Sequence, residues 1–89
     1  MAKARKYMTG WLRDALSELG GKASMLDVAR QVWEVHEGDI REGGDLLYEW
    51  QYELRWAASF LRRDGALRPA KETRKGMLEL ANHSPNETS

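Results

Sequence analysis

The sequence predicts a mainly α-helical domain closed by a small β-hairpin, and three observations lead there. Apolar residues recur at three- and four-residue steps in three separate stretches. Glycines end these stretches, and after Gly65 the helical period gives way to two short extended runs. The 89 residues include no cysteine, so a disulfide framework, a thiolate zinc cluster and a cysteine nucleophile are all excluded and packing must hold the fold. A chain this short hides only about 60–65% of its unfolded surface, so that core is modest.

The first helix is expected from a cap at Thr9 through Trp11, Leu12, Ala15, Leu16 and Leu19, with Gly20-Gly21 as its stop. Ser24, followed three residues later by Asp27, is a weak capping box for the second helix, which sets Leu26, Ala29, Trp33, His36 and Ile40 on one stripe. That helix ends near Ile40, because Asp39 to Asp45 contains Gly43-Gly44 and three acids. The third helix spans roughly Tyr48 to Asp64, with Leu47, Trp50, Leu54, Ala57 and Leu61 on its core side. Ala66 to Ala70 and Gly76 to Leu80 then read as hairpin strands around Lys71 to Lys75, and Pro69 keeps the hairpin at an edge.

One domain is expected over residues 8–81. Residues 1–7 carry Lys3, Arg5 and Lys6 with little apolar pattern and read as a mobile basic arm. Residues 82–89 are polar, include Pro85 and read as a disordered tail. There is no internal repeat. The apolar runs are too short for a signal peptide or membrane span, so no membrane partner is expected and the setting is read as cytoplasmic.

Three helices and a hairpin, with a short extended piece at Lys22-Ala23, follow the element order of a winged helix-turn-helix domain. Leu54-Arg55-Trp56-Ala57, Phe60-Leu61-Arg62-Arg63 and Gly65-Ala66-Leu67 resemble the third helix and wing start of the N-terminal domain of Mrr-type restriction proteins. Leu16 to Gly21 and Ala23 to Val28 resemble the end of helix one and the start of helix two in that family. Gly44 to Tyr52 is also similar to a group of small bacterial winged-helix proteins. The resemblance covers most of residues 12–80 and implies a DNA-binding domain. No residues remain for the nuclease domain of the Mrr-type proteins, so cleavage is not implied.

The formal net charge is zero, yet the charges are segregated. Residues 1–22 hold five basic and two acidic side chains, residues 23–54 two and eight, and residues 55–89 seven and four. Within 55–75, Arg55, Arg62, Arg63, Arg68, Lys71, Arg74 and Lys75 face only Asp64 and Glu72. This stretch covers the late third helix and the wing, the elements that meet nucleic acid together in a winged helix. The competing reading is an ordinary solvated surface; the coincidence of charge and position favours nucleic acid.

At 100° per residue, Leu47, Trp50, Ala57 and Leu61 lie within about 60° of Leu54 and form the core side. Trp56 and Phe60 widen it on one flank. The other flank, Tyr48, Gln51, Tyr52, Arg55, Ser59 and Arg62, is the candidate reading stripe. Arg55 and Gln51 are the expected base contacts, since Arg pairs with guanine O6 and N7 and Gln with adenine. Arg62, Arg63, Lys71, Arg74 and Lys75 are expected to hold phosphates. Tyr48 and Tyr52 read equally well as rings wrapping the interface of helices two and three. Glu49 and Glu53 are the counter-evidence, because their charges oppose phosphate.

Several other chemistries fall away. His36 and His83 build neither a metal site nor a triad, and His36 reads as a half-buried packing residue. Glu34, Glu37, Asp39, Glu42 and Asp45 lack calcium-loop spacing and read as a solvated acidic face. Gly43-Gly44 is a turn, with no lysine at phosphate-loop spacing. Trp11, Trp33 and Trp50 lie on three apolar stripes and are expected in one shared core, whereas a surplus ring such as Trp56 would serve a dimer or partner surface. No cofactor, metal or catalytic residue is expected. The chain is read as a small transcriptional regulator of a bacterium or mobile element that binds double-stranded DNA. The alternative is a module that docks a protein through its acidic or aromatic surface.

Overall fold

The computed structural model describes the backbone of residues 2–81 and the side chains of residues 7–81. In chain order these residues form α1 (Ala2–Glu18), β1 (Lys22–Ser24), α2 (Met25–Arg41), α3 (Leu46–Asp64), a single 3₁₀ turn (Ala70–Glu72) and β2 (Met77–Glu79). The fold is mainly helical, three helices with a small antiparallel sheet in a winged-helix-like arrangement.

α1 opens at Ala2, well before the expected cap. Thr9 therefore lies inside the helix, and the backbone of residues 2–7 is helical and continuous with α1. Alanine, lysine and arginine are among the best helix formers, and Met8, fully buried, gives the longer helix a core contact. The expected tail, 82–89, lies outside the described residues.

α2 begins where its cap predicts. The Ser24 side chain accepts a hydrogen bond from the Asp27 backbone N–H at 3.0 Å, which satisfies one of the amides left free by the first turn. Its buried face differs from the expected stripe: Val28, Val32 and Ile40 are buried, while Trp33 and His36 are half-buried and Leu26 is 60% exposed. A straight helix would spread those three buried positions over about 120°. Non-helical dihedrals at His36 (φ −117°, ψ 18°) break the regular phase ahead of Ile40.

α3 runs to Asp64 and stops at Gly65, whose φ of 89° lies in the left-handed region that favours glycine. Trp50, Leu54, Ala57, Ala58 and Leu61 are buried along it. They join Leu12, Ala15 and Leu16 of α1 and Leu67 and Leu78 beyond α3 in a single core. α1 packs most extensively against α3.

The hairpin is shorter than expected on its first side. Ala66 to Ala70 contributes an isolated bridge, Leu67 with Leu80, reinforced by Arg68 N–H to Glu79 O and Ala81 N–H to Ala66 O, both 2.9 Å. Pro69 has no N–H to extend that pairing. β2 makes its longer pairing with β1, in the register Lys22 with Glu79, Ala23 with Leu78 and Ser24 with Met77. The return of the chain after α3 is thus stitched to the segment that enters α2.

Tryptophan packing follows the expected sharing only in part. Trp50 is buried and stacks on Trp33 with ring centroids 5.5 Å apart. Trp11 stacks on His36 at 3.9 Å and on Tyr7 at 5.9 Å, so its ring closes the α1–α2 seam instead of meeting the other two. Trp56 stacks on Phe60 at 5.3 Å along α3.

Candidate nucleic-acid interface

The face of α3 away from the core carries the predicted stripe. Tyr48 is 85% and Tyr52 66% exposed, and Gln51, Arg55, Ser59 and Arg63 are also exposed. The Tyr48 and Tyr52 rings therefore project into solvent and do not wrap the α2–α3 seam. Neither tyrosine stacks on another ring among the described residues.

Beside this stripe lies the loop that joins the 3₁₀ turn to β2. It is built locally: the Thr73 hydroxyl lies 3.2 Å from the Ala70 carbonyl and 3.4 Å from that of Met77, and the Met77 N–H donates to Arg74 O at 2.9 Å. Gly76, with φ of 82°, lets the chain turn into β2 and present its carbonyl to the Met25 N–H at 2.8 Å. The loop is thereby tied to the first residue of α2. Arg74 and Lys75 stand exposed on it and Lys71 on the 3₁₀ turn before it, and none of the three is ion-paired among the described residues.

Between loop and helix is a cleft of about 220 Å³ bordered by Met25, Arg55, Ser59, Arg62, Gly76 and Leu78. It brings two of the predicted basic side chains and one hydroxyl to the junction of α3, α2 and β2. Arg62 is the exception to the exposed pattern. It is half-buried, and its Nη2 donates to the Met77 carbonyl at 3.1 Å, so it spans from α3 to β2. Arg68 is likewise engaged, 3.4 Å from Glu79 and 3.8 Å from Glu72.

The two acids that argued against phosphate separate. Glu49 is exposed in the first turn of α3, where a negative charge favours the helix dipole. Glu53 is only 4% exposed and belongs to the interior, so its charge does not face a ligand on the reading stripe. Its angular position was informative, since it follows Trp50 by three residues and precedes Ala57 by four.

Glu34, Asp39, Glu42 and Asp45 are exposed, and Glu37 pairs with Arg41 at 2.6 Å. Among the described residues no group of three His, Asp or Glu is placed to hold a metal ion. Nor, among those residues, is any helix long and apolar enough to cross a membrane. Compared with known proteins, the chain matches no family model, no curated protein and no solved structure.

Proposed function

We propose that this protein binds DNA non-enzymatically through α3 and the loop before β2, acting as a small transcriptional regulator in a bacterial or mobile-element setting, in the cytoplasm. One observation carries the reading: an exposed face of α3 meets, across the cleft at Arg55, Ser59 and Gly76, the segment 70–76, whose three cations, Lys71, Arg74 and Lys75, are not ion-paired among the described residues. Together with Arg55 and Arg63, these side chains form a surface on which phosphates replace water and released counterions drive association. Gln51 and Arg55 carry the chemistry of base recognition, and Ser59 that of a phosphate contact. Arg62 takes a different part from the one its charge suggests: it holds β2 against α3.

The test is binding to random DNA across a salt series. Affinity is expected to fall steeply as salt rises, and Arg55→Ala and Arg63→Ala are expected to weaken binding while leaving the unfolding midpoint in place. Absence of binding at low salt overturns the reading. The exposed acids Glu34, Asp39, Glu42 and Asp45 favour a second reading, docking of a basic protein segment on the α2 side. A partner lost on charge reversal of Glu34 and Glu42, with DNA binding absent, would establish it instead.

A further inference from the structure

We infer that the pocket between α2 and α3 receives an unpaired nucleobase, so that the preferred ligand is single-stranded or locally opened DNA over a fully paired duplex. This rests on the nucleic-acid reading above and narrows its ligand class.

The pocket has a volume of about 410 Å³, within the roughly 300–1,000 Å³ of sites that take small molecules. Leu26, Ala29 and the mutually stacked Trp33 and Trp50, with Arg41 over the Trp33 ring, supply apolar wall, while Arg30, Glu34 and Gln51 supply polar groups. A flat ring with a hydrogen-bonding edge suits that combination: apolar walls take its faces, and an amide, a guanidinium and a carboxylate take its donors and acceptors. Gln51 lines this pocket and also lies on the exposed stripe of α3. The pocket therefore opens beside the surface proposed to meet DNA.

Two further observations point to unpaired bases. Tyr48 and Tyr52, one helical turn apart, expose most of their ring surface without stacking partners among the described residues. Exposed rings beside cations form a stacking platform for successive bases. Here the nearest cation is Arg55, three residues after Tyr52 on the same exposed face, and the cleft at Arg55 leads on to the segment that bears Lys71, Arg74 and Lys75, so a phosphate chain passing the rings continues onto positive charge. A base inside a duplex presents only its edge and cannot use either feature, whereas an unpaired base offers its faces to both.

The experiment compares three length-matched fluorescent DNA probes on the full chain: a perfect duplex, the single strand, and the duplex with a central unpaired bubble. The single strand or the bubble is expected to bind about fivefold or more tightly than the duplex, with quenching of tryptophan emission. Leu26→Trp, which fills the pocket from an exposed position, is expected to remove that preference without altering duplex affinity, and Gln51→Ala to weaken the single strand and the bubble more than the duplex. Tyr48→Ala with Tyr52→Ala is expected to weaken the single strand most. Duplex binding equal to or tighter than that of the other probes overturns the inference and leaves the DNA-binding reading intact. The same holds if the pocket variants weaken all three probes alike. Failure of every probe to bind at low salt overturns both.

Discussion

Arg62 and Met77 join the two elements of the candidate interface. The Arg62 guanidinium, carried on α3, donates to the Met77 carbonyl of β2 at 3.1 Å, and its Nε is buried without a hydrogen-bond partner among the described residues. The side chain thus supplies one charge-assisted bond and a packed stem, set against the cost of an unsatisfied N–H.

The first prediction follows from that balance. Arg62→Ala removes both bond and stem and is expected to lower stability by about 1–2 kcal/mol. Arg62→Met keeps much of the stem and deletes the orphaned donor, so it is expected to cost less than the alanine variant. Urea unfolding of the three proteins measures the order. Equal stability of wild type and alanine variant would show that the contact contributes nothing to holding β2.

The second prediction concerns the length of α1. Met8 is fully buried, although it precedes the residue expected to cap the helix. Met8→Ala is expected to cost about 2–4 kcal/mol, the range for emptying a buried aliphatic site. A change of only a few tenths in a urea or thermal melt would place Met8 outside the core.

Legibility in the sequence followed how local each cause was. The Ser24 cap and the Gly65 stop depend on neighbours three or four residues away, and the start of α2 and the end of α3 that they set were readable. The buried face of α2 was not, because two apolar stripes satisfy the same period. Residue size favoured Leu26 and Trp33, whereas the fold buries Val28 and Val32 and breaks phase at His36. β2 pairs across the domain with Lys22 to Ser24, a relation set by where α1 and α3 place those segments.

At the candidate site the stripe from Tyr48 to Ser59 was legible as the side opposite the core. The structural engagement of Arg62 was not, since a half-buried arginine and a solvent-facing one look identical in a list of charges. Glu53 is different: its place between Trp50 and Ala57 on the helical wheel put it at the border of the core side, and its charge alone made it read as a surface residue.

The third prediction separates loop from helix. Lys71→Ala, Arg74→Ala and Lys75→Ala remove exposed, unpaired charges, so the melting temperature is expected to hold in each. Each is expected to reduce the slope of log affinity against log salt by about 0.7–0.9 if its cation neutralises one phosphate. Titrations at several salt concentrations measure that slope. An unchanged slope in all three variants would remove the loop from the interface.

The fourth prediction uses the two acids of α3 as an internal control. Glu49 and Glu53 are one turn apart in sequence, yet one faces solvent and the other is 4% exposed. Glu49→Lys converts a repulsive charge near the proposed phosphate path into an attractive one, so DNA affinity is expected to rise several-fold at low salt and the gain to shrink as salt screens it. The fold is expected to tolerate the change. Glu53→Lys instead forces a larger cation into a packed site and is expected to cost about 3 kcal/mol or more, since a buried charge without a suitable partner is among the most destabilising substitutions. Measuring unfolding and DNA affinity for both variants tests burial and electrostatics together. If Glu53→Lys folds with wild-type stability, Glu53 is not enclosed by the core; if Glu49→Lys leaves affinity unchanged, the first turn of α3 lies away from the phosphate chain.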